Sequence, residues 1–118
     1  MTHIMKLNEA PYNLIKSKNK TIELRLYDEK RRLININDTI IFQNINNNNA
    51  LEVEVKALHI YPSFEELYKH FDKISLGYLE NEEANYKDMN LYYSDQDILK
   101  YGVVGIQIEL KGEKKNEE

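Results

Sequence analysis

Apolar residues along this chain recur mostly with a period of two, the mark of strands with one buried face. In Lys20 to Tyr27 the alternation puts Ile22, Leu24 and Leu26 on one face, expected to be the core side, and Thr21, Glu23, Arg25 and Tyr27 on the other. Thr39 to Ile45 is rich in β-branched and aromatic residues and reads as a strand. Leu51 to Tyr61 is the longest candidate: Leu51, Val53, Val55 and Ala57 point inward, Glu52, Glu54 and Lys56 outward. His3 to Leu7 and Tyr101 to Leu110 complete the strands, with Gly102 and Gly105 marking a bulge or a close backbone approach.

Helical spacing appears only in short stretches. Glu9 to Lys16 reads as a helix, with Asn8 as its cap, Pro11 in the first turn and Tyr12, Leu14 and Ile15 on the buried side. Ser63-Phe64-Glu65-Glu66 is a capping box opening a helix to about Phe71. There Phe64, Leu67, Tyr68 and Phe71 share a face and read as core packing. Glu82 to Tyr92 reads as an acidic helix, and Ser94 to Asp97 as another cap. Asn35 to Asp38 is a turn, and Asn46 to Asn49 a hairpin tip, since asparagine tolerates positive φ. The element order β, α, β, β, β, helix-rich insert, β predicts an α+β fold: a small β-barrel or curled sheet of about five to six strands with helices at one end. There is no βαβ succession, which argues against a doubly wound nucleotide-binding sheet.

At 118 residues the chain fits one domain, expected over residues 1–110, with 111–118 as a polar, disordered tail. The absence of cysteine removes disulfides, thiolate zinc sites and cysteine nucleophiles. The start has no apolar signal-like run, and no stretch is long enough to span a bilayer, so a cytoplasmic protein without membrane partners is expected. His3, His59 and His70 are scattered, so neither a metal nor a cofactor is expected. A net charge of -4 argues against a generic nucleic-acid coat. The charge is uneven, however: Lys16 to Arg32 carries seven basic residues against three acidic, and Glu80 to Asp97 six acidic against Lys87 alone. A local basic segment can hold a phosphate or a short single strand.

The chemistry concentrates in Lys18 to Arg25. Glu23 and Arg25 stand two apart on a strand, share a face and can pair. Beside a cleft, such a pair reads a planar polar ligand, the guanidinium donating in a fork and the carboxylate accepting. Lys20, at the strand's start, can turn to the same place, where a neighbouring cation would lower its pKa and suit it to act as a base. The plainer alternative is a surface ion pair that stabilises little. Among nine tyrosines, Tyr92 and Tyr93 could stack bases or serve as amphipathic core.

Lys20, Glu23 and Arg25, opening a strand after the first helix, resemble the signature of the ASCH family: glycine, any residue, lysine, two residues, glutamate, one residue, arginine. Lys18 stands in the glycine's place. Asn35 to Phe42, Ser63 to Leu67, Leu76-Gly77-Tyr78, Met89 to Ser94 and Tyr101 to Ile106 resemble further blocks of a bacterial branch, so the likeness spans about residues 3 to 110. The resemblance implies a stand-alone PUA-like domain that recognises RNA or a nucleoside or nucleotide ligand. The expected binding residues are Lys20, Thr21, Glu23, Arg25 and Tyr93. Some small bacterial members hydrolyse the amide of N4-acetylcytidine with a lysine, a threonine and a glutamate. Lys20 matches that lysine, but the threonine's place holds Glu23, and no third residue is assigned in the Glu80 to Glu83 region. Whether the protein is an enzyme is therefore left open; if it is, Lys20 is the base and Glu23 orients or activates water. A third reading is a protein-interaction domain using the acidic Glu80 to Asp97 segment.

Overall fold

The computed structural model describes residues 1–117. Five strands, β1 (Thr2–Leu7), β2 (Ile22–Leu26), β3 (Thr39–Asn44), β4 (Ala50–Tyr61) and β5 (Val103–Lys114), form one sheet in the order β1-β3-β4-β5-β2. Three α-helices accompany them: α1 (Glu9–Lys16), α2 (Phe64–Tyr68) and α3 (Asp95–Tyr101). The β1–β3 pair is parallel and the other pairs are antiparallel. The α+β class is as expected, but the closed barrel is not formed: β1 and β2 are the free edges of an open, mixed sheet. α1 joins these two edge strands and drives Tyr12 and Ile15 into the core between them. The edges are bridged by a side chain, Arg25 NH2 donating to the Lys6 carbonyl at 3.2 Å, and not by a ladder.

The face of β2 expected to be the core side is buried, and the opposite face is covered as well. Ile22, Leu24 and Leu26 pack under the insert against Phe64, Leu67, Leu76 and Met89. Glu23 and Arg25 pair across the ladder with Ile106 and Val104, on the side of the principal core of Met5, Phe42, Leu51, Val53 and Val55. A period-two pattern reports alternation, and it cannot tell that a later segment will fold over the second face. Gly105 permits that closure: a Cβ there would lie 3.0 Å from Ile22 Cγ2 and 3.3 Å from Leu67 Cδ1.

Several boundaries moved. A register shift between Val55 and Ala57 reverses the alternation of β4, so Leu58 and not Ala57 packs on the core. β5 continues to Lys114, which pairs with Ala50, so the start of the expected disordered tail is strand; Glu118 lies outside the described residues. The acidic helix expected over Glu82 to Tyr92 shrinks to a 3-10 turn over Tyr86–Leu91. Ser63 and Ser94 cap α2 and α3 as expected, accepting from Glu66 N and Asp97 N. Asn8 occupies the cap position of α1 but makes no capping bond with its side chain. Asn48 takes a φ of 60° at the hairpin tip. Among the described residues no helix is long and apolar enough to cross a membrane.

Candidate functional site

A cleft of about 360 Å³ opens along the seam between the free sheet edges. One wall is built from β1, α1 and β2, contributing Lys6, Asn8, Leu14, Lys20, Glu23 and Arg25. The other comes from the end of α2 and the insert: Tyr68, Tyr78, Glu82, Asp88, Met89, Tyr92 and Tyr93. The volume falls within the roughly 300–1,000 Å³ typical of small-molecule sites.

Glu23 organises the first wall. It is only 3% exposed, yet it carries a carboxylate. Lys20 Nζ lies 3.1 Å from its Oε1, Arg25 Nε donates to its Oε2 at 2.8 Å, and Arg25 NH2 stands within ion-pair distance of the same oxygen, also at 2.8 Å. Burial pushes the Glu23 carboxyl up, but Lys20 and Arg25 outweigh it and hold the group below its ordinary value. Arg25 is shifted upward: desolvation opposes its charge, and the Glu23 carboxylate more than restores it. The expected arrangement, a cation directly beside a cation, is not what the fold makes, because a carboxylate stands between Lys20 and Arg25.

Local backbone sets this geometry. Lys18, at the signature's glycine position, has a φ of 69°, so the chain keeps the left-handed turn that a glycine would adopt without penalty. Thr21 N and Ile22 N both donate to Ser75 O at 3.0 Å, which fixes the segment after Lys20 against the insert. Gly77, with φ of 103°, makes room for the lysine stem: a Cβ there would lie 2.9 Å from Lys20 Cδ.

The expected ligand residues are thus divided. Lys20, Glu23, Arg25 and Tyr93 meet in the cleft. Thr21 instead lines a second cavity of about 280 Å³ with Ile15, Lys18 and Ile108, and Lys20 lines both. One face of the Tyr93 ring is taken by Phe64, stacked at 5.9 Å and 19°. Burial raises the Tyr93 phenol, Arg25 opposes that shift and Glu23 adds to it. Tyr92 is 66% exposed at the mouth and is the freer stacking surface.

The chain matches the family model for the ASCH domain over residues 5–112. It belongs to the ASCH domain family. The ASCH fold is shared by a hypothetical protein from Pyrococcus, PH0355, whose crystal structure is 37% identical in sequence with a TM-score of 0.82, covering 94% of this chain and 100% of that one. Protein PF0455 from Pyrococcus furiosus, solved by NMR, is 38% identical with a TM-score of 0.69, covering 93% of this chain and 97% of that one. No curated protein matches the chain.

Within this ASCH domain the second wall holds residues that sequence reasoning passed over. Tyr68 was expected as core because of its helical spacing with Phe64, Leu67 and Phe71. It does pack against that core, and its hydroxyl also lines the cleft, 2.9 Å from that of Tyr78, which donates to Asp88 Oδ2 at 2.8 Å. The only sequence signals were the Leu76-Gly77-Tyr78 block and the acidic run, and neither shows that the two segments meet. Glu82, whose Oε1 accepts from Leu79 N at 2.7 Å, gives the acidic region a carboxylate on the cleft. Among the described residues no cluster of three or more histidine, aspartate and glutamate side chains is arranged to hold a metal ion.

Proposed function

We propose that this ASCH domain recognises a nucleobase-bearing ligand, as a nucleoside, a nucleotide or a residue of RNA, in the cleft between its sheet edges. The observation that carries the reading is the buried Glu23 carboxylate bridging Lys20 and Arg25 on the wall of a cleft sized for a small molecule. Arg25 holds Glu23 through Nε and the Lys6 carbonyl through NH2, with the Tyr93 phenol beside it, so its guanidinium is fixed on the cleft wall where a ligand acceptor or phosphate oxygen would meet it. Tyr92 supplies an exposed aromatic face at the mouth. Cations on one wall and acidic groups on the other suit a ligand with both an anionic and a hydrogen-donating part.

Binding of ribonucleosides, nucleotides and short RNAs, followed by calorimetry at fixed ionic strength, tests the reading. Arg25→Ala should abolish binding while circular dichroism shows the fold retained. Unchanged affinity would remove the site assignment.

A second reading, hydrolysis of an acylated nucleoside, is favoured by the 3.1 Å approach of Lys20 to Glu23 in the cleft. Against it, a carboxylate already neutralised by two cations is a weak base, and Thr21 faces the other cavity. Turnover of acetylated cytidine by the wild type, lost in Lys20→Ala, would establish it over simple binding.

A further inference from the structure

The geometry points to Tyr68 as a specificity-determining hydrogen-bond acceptor, its polarity set by Tyr78 and Asp88, that selects bases carrying an exocyclic amino group. The inference rests on the nucleobase reading of the cleft and deepens it.

The reasoning is a count of protons. The Tyr78 oxygen has two acceptors beside it, Asp88 Oδ2 at 2.8 Å and the Asn85 carbonyl at 3.1 Å. It also has the Tyr68 hydroxyl at 2.9 Å and Asn85 N, a donor, at 3.4 Å. Tyr78 owns one proton. Were it given to Tyr68, a carboxylate and a carbonyl would both face lone pairs. The shorter, charge-assisted bond to Asp88 takes it instead. Tyr68 must then give its own proton to Tyr78. Burial and this bond raise the Tyr68 phenol, so the proton stays in place at neutral pH.

With its proton committed, the Tyr68 oxygen offers the cleft lone pairs only. A ligand atom meeting it has to donate. A base lacking a donor there leaves the oxygen unpaired on a partly desolvated wall, a loss on the order of 1–3 kcal/mol, or about 5- to 150-fold in affinity. Across the cleft Arg25 and Lys20 carry donors only, so ring or phosphate acceptors belong on that side. An aminated base can satisfy both walls. Tyr78 and Asp88 act through Tyr68 as positioning residues.

The test compares ligands that differ only in the amino group: cytidine with pyrimidin-2-one riboside, and adenosine with purine riboside. In the wild type at least one aminated member should bind about tenfold or more tightly than its deaminated partner. Tyr68→Phe should bring that ratio close to one. Tyr78→Phe should do the same with Tyr68 still present, because the freed hydroxyl can rotate and donate to a ring nitrogen. A merely structural role for Tyr78 would weaken both members equally; a ratio unchanged in Tyr78→Phe overturns the relay. Equal binding of both members by the wild type, with binding lost in Arg25→Ala, overturns the acceptor assignment and leaves the cleft reading in place. No binding of any of the four overturns both.

Discussion

Replacing Glu23 by glutamine keeps its size and removes the charge that two cations share. Lys20 and Arg25 have side chains only 11% and 15% exposed, so water cannot take over the missing role. Breaking a buried ion pair by removing one partner costs about 3–5 kcal/mol, a large share of the roughly 5–15 kcal/mol that holds a domain folded. At about 4 °C per kcal/mol for a chain of this size, the melting temperature should fall by roughly 12–20 °C. Urea denaturation at pH 7 should show a lower midpoint with an unchanged slope. Adding Lys20→Met to Glu23→Gln should recover part of the loss, because one stranded cation disappears. Acid behaviour follows from the sign of the shift. The Glu23 pKa is lowered on folding, so its stabilising contribution is full above the ordinary glutamate value and fades as pH falls through the folded one. Glu23→Gln should therefore flatten the acid limb of the stability profile. A loss below about 1 kcal/mol in Glu23→Gln, or no recovery in the double variant, would refute the claim that this carboxylate holds the seam together.

Lys18→Gly should raise stability by about 1 kcal/mol in a thermal melt, since a lysine held at φ of 69° carries a left-handed penalty that glycine escapes. Gly77→Ala should lower the melting temperature and weaken nucleoside binding together, because the new Cβ meets the Lys20 stem at 2.9 Å on a backbone of φ 103°; an unaltered Lys20–Glu23 pair in a structure of that variant would contradict this. Asp38 should titrate near 2 by NMR, held down by His3, the Asn35 amide and the N-terminal ammonium; its stabilising contribution is present above the ordinary aspartate range and lost as pH falls toward 2, and a value at or above 3.8 would disprove the cluster.

Sequence reasoning reached far into the local structure, for reasons visible in single residues. Ser63 and Ser94 carry oxygens that only a helix start would use in that way, and both caps form. The four asparagines at 46–49 mark a tip where the chain enters positive φ at Asn48. Lys20, Glu23 and Arg25 stand at a spacing that brings their charged ends to one place, and they do meet. Those signals are local: each depends on residues a few positions apart, where the period of a strand or the first turn of a helix fixes the geometry.

What only the tertiary structure decided lies between distant segments. Whether β1 and β2 would close a barrel depended on α1 placing Tyr12 and Ile15 between them, a matter of volume and not of pattern. Whether Glu23 would be a solvated surface acid or a buried counterion depended on the core lying against one face of β2 and the insert covering the other. Tyr68 packs against the core as its spacing implied, but its hydroxyl reaches the cleft only because Tyr78, ten residues later, returns to meet it. Local pattern determined the five strands, the serine-capped helix starts and the charged triad. The open seam, and the second wall that turns the triad into a cleft, arose from long-range packing that no periodicity encodes.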